Sequence, residues 1–174
     1  MMWPKASDIS SYYGSPRAAD GRLSAKWEAQ NIVRIEFPWD AVLAWDPHTR
    51  ARAIRVHRLC SASLDRVLRA IWAASGRNQA KIVAWGMNLY GGGFEFRPPR
   101  GAKGDRLSTH AYGCAVDFDP VRNRMYDTTP NFAGISEVRK AFADEGWRWG
   151  GDWDRDGLSS DEVRPDGMHW EAVR

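Results

Sequence analysis

The chain has 174 residues, 43% hydrophobic and 27% charged, with a formal net charge of +3. That length predicts one domain able to bury a core without staples, and that composition excludes a largely disordered polymer. No apolar run is long enough to cross a membrane, and the two cysteines, Cys60 and Cys114, cannot make a disulfide framework.

Residues 1–30 are rich in Ser, Gly, Pro and Asp and predict an extended or short-helical lead-in. The opening MMWPKASDISSYYGSPR has no apolar stretch of signal-peptide length, so the expectation is synthesis in the cytoplasm without a secretory signal. Asn31 to Phe37 predicts a strand closed by Pro38, and Ala53 to His57 a second strand. Leu64, Val67, Leu68, Ile71 and Trp72 follow the spacing of one helix face, with Gly76 as the stop. Lys81 to Trp85 (KIVAW) reads as a strand, and residues 86–107 as one long loop. Cys114 to Asp119 alternates as a strand does, with Asp117 on the face opposite Cys114, Val116 and Phe118. A helix over Ser136–Glu145 and short strands at Trp147–Gly151 and Met168–Ala172 complete the reading. Helices and strands mix without regular βα alternation, which favours an α+β domain with an antiparallel sheet and flanking helices.

Charge is uneven. Residues 1–107 carry 17 Lys and Arg against 9 Asp and Glu, whereas residues 108–174 carry 8 against 13. The basic half suits an anionic polymer or a merely solvated face, and the clustered carboxylates of the acidic half suggest metal.

Of the four histidines, two sit in chemically suggestive surroundings. In Ser108-Thr109-His110-Ala111-Tyr112-Gly113-Cys114-Ala115-Val116-Asp117 a tight turn at Gly113 can fold His110 back beside Asp117. In Asp166-Gly167-Met168-His169 a carboxylate precedes a histidine by three residues. Two imidazoles and one carboxylate, His110, His169 and Asp117, are a three-ligand zinc set with a fourth position open for chemistry. Asp166 is placed to act as the base that such chemistry needs. The same ligand types also make the facial triad of non-haem iron oxygenases, and a structural zinc in a binding domain is a further alternative. His48 predicts an exposed turn, His57 a structural role, and Cys114 a core position. Tyr112 and the cluster from Trp147 to Trp153 are candidates for a groove wall.

The motif Ser108-x-His110-x-x-Gly113-x-Ala115-x-Asp117, followed by Asp166-x-x-His169, resembles the zinc D-alanyl-D-alanine carboxypeptidase and L-alanyl-D-glutamate endopeptidase family, peptidoglycan peptidases that share a fold with the hedgehog signalling domain. The resemblance covers about Tyr90 to Glu171. It implies zinc on His110, Asp117 and His169, with Asp166 as general base, and a stem-peptide substrate met near Ser108 and Tyr112. Aspartate rather than glutamate at 166 leans toward the endopeptidase branch of phage endolysins. The family's upstream arginine, which steadies the carbonyl oxygen, matches Arg97 best, with Arg100 close enough to take the role instead. The implied protein is a monomer acting at the bacterial cell wall after phage-type release, without nucleic-acid or membrane partners.

Residues 152–157 spell D-x-D-x-D-G, the opening of an EF-hand calcium loop. Asp152, Asp154, Asp156 and the Leu158 carbonyl would be ligands for Ca²⁺. Position 12 is Val163, so Asp161 or Glu162 would have to close the loop. An acidic turn solvated without any ion is the alternative.

Overall fold

The computed structural model describes residues 2–100, 105–156 and 159–174. In chain order the described elements are α1 (Ile9–Tyr13), α2 (Ala25–Asn31), β1 (Ile32–Leu43), β2 (Asp46–His57), α3 (Arg58–Ala74), α4 (Gln79–Trp85), β3 (Leu89–Gly92), β4 (Ala115–Phe118), α5 (Ser136–Asp144), β5 (Arg148–Trp149) and β6 (His169–Glu171). The strands form one sheet in the order β2-β1-β3-β4-β6-β5. Every neighbouring pair is antiparallel except β1 and β3, which run parallel. The helices α3 and α4 lie in the connection between that pair, as a parallel crossover requires. The expected α+β class holds, with that one parallel pair inside a sheet otherwise antiparallel.

The long helix α3 buries Leu64, Val67, Leu68 and Ile71 completely and meets Val138 and Phe142 of α5 in one core. Its end agrees with the sequence: Ser75 caps it and Gly76 turns away with φ of 72°. The lead-in is built into this core. Trp3 and Tyr13 are each 2% exposed. Trp3 Nε1 donates to the Glu145 carbonyl at 3.0 Å, and the Tyr13 hydroxyl donates to the Ala172 carbonyl at 2.7 Å. The N-terminal segment is thereby pinned beside the last strand. Among the described residues no helix is long and apolar enough to cross a membrane.

Two local expectations are corrected. Pro38 does not close the first strand. β1 continues to Leu43 through a register shift between Glu36 and Ala41, so the residue without an N–H falls where the ladder is interrupted. KIVAW is not a strand but most of helix α4. The Asn78 side chain accepts from Lys81 N at 3.2 Å, Gly86 ends the helix at φ of 84°, and the buried residues Ile82 and Trp85 stand three apart. These caps outweigh the β preference of Ile82 and Val83.

His57 holds the junction of β2 and α3. Its Nδ1 accepts from Leu59 N at 3.1 Å, so its proton sits on Nε2, which donates to the Tyr13 carbonyl at 3.0 Å. Burial lowers its pKa from 6.5 to about 4. The unfolded chain takes up this proton below about pH 6.5 while the folded chain stays neutral until about pH 4. Stability therefore falls with pH across that window, by roughly 2 kcal/mol at pH 4.5. Urea unfolding from pH 7 to 4.5 checks it: His57→Asn, which keeps a capping oxygen, should flatten that slope, and an unchanged slope would contradict it.

Candidate metal centre

The local chain places the ligands before any long-range packing acts. The Ser108 side chain accepts from His110 N at 3.3 Å and starts a short 3-10 turn over Thr109–Tyr112. Gly113 ends the turn at φ of 67°, and a Cβ there would lie 2.7 Å from His57 N. Only glycine fits both the left-handed backbone and that close approach. The chain then enters β4, whose Asp117 is the cross-strand partner of His169 on β6. Antiparallel pairing sets the two side chains on one face, and the folded-back turn lays His110 over them.

The resulting cluster is tight and buried. His110 Nε2 lies 3.1 Å from His169 Nδ1 and 3.2 Å from Asp117 Oδ1, and His169 Nδ1 lies 3.1 Å from Asp117 Oδ1. His110, Asp117 and His169 are 3%, 7% and 7% exposed. The outer nitrogens fix the tautomers. His110 Nδ1 sits 2.7 Å from the Gly93 carbonyl, which can only accept, so Nδ1 carries the proton. His169 Nε2 sits 3.1 Å from the Glu171 carboxylate and must also be the N–H. Both inner nitrogens therefore face each other and a carboxylate oxygen. These three atoms converge out of water around one point, where a proton on His169 or, once that proton is displaced, a metal cation holds them together. Zinc bonds of 2.0–2.1 Å in tetrahedral geometry separate ligand atoms by roughly 3.3 Å, close to the spacing found. The donor set fits zinc.

The electrostatics agree. Burial opposes charge on Asp117, yet His110 and His169 hold its carboxyl well below the usual range. Burial would lower the pKa of His169, but hydrogen bonds to Asp117 and Glu171 raise it to about 10. This is a pocket built to hold positive charge.

Asp166 stands at the edge of this cluster. Its N–H donates to the Gly150 carbonyl at 2.6 Å, and its own carbonyl accepts from His169 N at 3.0 Å, so the turn that positions the base also positions the ligand. Its Oδ1 is buried with no hydrogen-bond partner among the described residues. Burial raises its pKa, with His169 lowering and Asp117 adding to it. An unpartnered, basic carboxylate oxygen beside the metal ligands has the properties of a proton acceptor.

A cavity of about 300 Å³ opens over these residues, and Arg97, Arg100, Arg106 and Arg164 line it. The basic excess of the first half of the chain thus contributes Arg97, Arg100 and Arg106 to the mouth of the metal pocket, which suits an anionic substrate. Arg97 is committed: its Nε donates to Glu95 at 2.7 Å and its Nη1 to the Pro98 carbonyl at 3.2 Å. Arg100 acts on Asp166, lowering its pKa. Ser108 lines the cavity but spends its oxygen on His110 N. Tyr112 does not line it. Its hydroxyl pairs with Ser10 at 2.7 Å and faces a neighbouring recess beside the N-terminal segment. Of the tryptophan cluster, Trp153 lines the metal cavity, while Trp147 and Trp149 belong to the core. Cys114 is fully buried, as expected of a core residue, and His48 is exposed.

Glu171 was not singled out from the sequence. It is 4% exposed, accepts from His169 Nε2 and receives Arg148 Nε at 2.9 Å. The Arg148 guanidinium in turn covers the Trp153 ring at 5.0 Å. The signal was present: position 171 shares the strand face of position 169. Glu171 is a positioning residue that fixes the tautomer and orientation of His169. Glu171→Gln is expected to weaken zinc binding roughly 10–100-fold, the worth of such an outer partner, while cutting hydrolysis little at saturating zinc. Competition against a chelator reads the affinity, and an unchanged zinc Kd would remove the role.

In the acidic loop Asp152, Asp154 and Asp156 bring one carboxylate oxygen each within 4.8 Å of one another. Glu162 is turned inward, with Oε1 accepting from Trp153 N and Asp154 N, and Asp161 is exposed. The Leu158 carbonyl expected as a calcium ligand lies outside the described residues. The convergence is one that exposed acidic turns also show, and it gives the calcium reading no further support.

Residues 101–172 match the model of a family described as D-alanyl-D-alanine carboxypeptidase. The resemblance drawn from the two motifs therefore holds over this stretch, which includes His110, Asp117, Asp166 and His169. No curated protein and no solved structure matches the chain.

Proposed function

We propose that the protein is a zinc-dependent peptidase that hydrolyses peptidoglycan stem peptides, of the L-alanyl-D-glutamate endopeptidase or D,D-carboxypeptidase type. The observation that carries this reading is the convergence of His110 Nε2, His169 Nδ1 and Asp117 Oδ1 within 3.2 Å, beside the unpartnered Oδ1 of Asp166. The family match over residues 101–172 supports the substrate class.

A zinc ion held by these three residues would supply Lewis acidity, polarising the scissile carbonyl and drawing the pKa of water down toward roughly 7. The chain's own groups do the rest. Asp166 takes the proton of the attacking water and returns it to the leaving amine. Its raised pKa makes the same oxygen an effective base and then an effective acid. Glu171 and Arg148 keep the His169 ring in register. The arginines at the cavity mouth attract the carboxylates that a stem peptide carries, and one of them meets the charge growing on the carbonyl oxygen.

The geometry favours Arg100 for that last role, because Arg97 is tied to Glu95. Arg100→Gln should lower kcat by roughly 10²-fold, the order of one oxyanion donor, and Arg97→Gln by much less. The reverse order in a side-by-side assay would return the role to Arg97. Mass analysis of fragments released from purified muropeptides tests the function itself. Release of free D-alanine assigns the carboxypeptidase type, and cleavage after L-alanine the endopeptidase type. An intact muropeptide pool after incubation with zinc-loaded protein would overturn the proposal.

A further inference from the structure

We propose a second binding site, for a carboxylate or phosphate group, on the opposite face of β6 from the metal centre. Strand alternation sends His169 and Glu171 to the metal cavity and Trp170, between them, to the other side. There a recess of about 390 Å³ lies against α5 and β5, and it shares no lining residue with the metal cavity. Ser136, Arg139, Arg148, Trp149, Arg155 and Trp170 contribute to its wall.

Two buried donors in this wall lack acceptors. Trp170 is 1% exposed, and its indole N–H finds no partner among the described residues. Six other tryptophans, Trp3, Trp27, Trp39, Trp147, Trp149 and Trp153, donate to named oxygens. The Nε–H of Arg139 is likewise buried without a partner among the described residues, with its guanidinium 5.7 Å from the centre of the Trp149 ring. Buried donors are normally satisfied, and neither of these two meets Asp152, the one carboxylate in the described part of the wall, so both are open to an acceptor from outside.

Charge specifies the acceptor. Four cationic side chains line the recess, with Asp152 as the one carboxylate among its described lining residues. Lys140 is taken by Asp144 at 2.8 Å and Arg148 by Glu171, which leaves Arg139 and Arg155 as the cations facing a ligand. Ser136 spends its hydroxyl on Glu137, and the remaining indole N–H beside two arginines suits an anion rich in acceptor oxygens, not a cation or an apolar chain. The identity of the carrier rests on the proposed function: a sugar acid or a phosphodiester of a cell-wall polymer, gripped on one face of the sheet while hydrolysis proceeds on the other.

Titration calorimetry on the full zinc-loaded chain tests the site, with inorganic phosphate and N-acetylmuramic acid as separate probes. At least one probe should bind at one equivalent. Phosphate alone would identify a phosphodiester carrier, and the muramic acid alone a carboxylate carrier. Arg139→Gln should weaken binding roughly tenfold or more, the worth of one charge-assisted hydrogen bond, and Trp170→Phe, which removes only the N–H, should weaken it in the same direction. Arg100→Gln, at the metal cavity, should leave it unchanged. No heat with either probe, or heat that survives both Arg139→Gln and Trp170→Phe but is lost in Arg100→Gln, would overturn the site. Hydrolysis of short stem peptides by Arg139→Gln should equal that of the parent. Failure of the peptidase reading would instead show as no hydrolysis by either protein, with the anion heat intact.

Discussion

Replacing His110 by alanine is expected to remove zinc and hydrolysis together. The change deletes one of three converging ligand atoms, and the remaining pair, His169 Nδ1 and Asp117 Oδ1, cannot hold the ion against water. The loss of affinity should exceed the roughly 10–100-fold assigned to an outer partner such as Glu171, because a direct bond is lost rather than a supporting one. The fold should survive. His110 is held by its own turn, and the core around α3 and α5 does not depend on it. Zinc should raise the Tm of the parent, since it binds only the folded state, and leave that of the variant nearly unchanged. His110→Ala protein with one tightly held zinc by elemental analysis would contradict the ligand assignment.

The second large effect is expected at Asp166. Asp166→Asn keeps the backbone bonds to Gly150 and His169 and nearly the same shape, so the turn and the zinc should remain. It removes the proton acceptor. kcat should fall by roughly 10²–10⁴, with KM little changed, because the carboxylate serves the transition state and not substrate binding. Stability should hold or rise, since the parent keeps a buried carboxylate oxygen without a partner among the described residues. Zinc-replete Asp166→Asn turning over at the parent rate would remove Asp166 from the reaction, and lost zinc would show instead that its role is structural.

The metal centre was legible because short-range rules build it. The Ser108 cap, the Gly113 turn and the alternation of β4 all act within ten residues, and the step from Asp166 to His169 is one turn. The cross-strand pairing of Asp117 with His169 spans 52 residues, and no local rule gives that register. The family resemblance supplied it. Strand periodicity places Glu171 beside His169, but its burial, which makes it a partner of that ring, follows only once β5 pairs alongside β6. The α4 segment differs from its predicted strand for another reason: Ile82 and Val83 favour β structure, and only the Asn78 and Gly86 caps mark the segment as a helix. Pro38 misled because a strand can carry proline where a bulge has already broken the ladder. The recess around Trp170 was not legible at all: an unsatisfied N–H exists only once every neighbour has been placed.

Zinc add-back tests the central claim most directly. Protein stripped by chelator and freed of it should hydrolyse no muropeptide. Activity should return in proportion to added zinc and level off at one equivalent, whereas His110→Ala should regain none under the same titration. Undiminished hydrolysis by the stripped protein, or equal recovery in His110→Ala, would contradict a catalytic zinc on His110, Asp117 and His169.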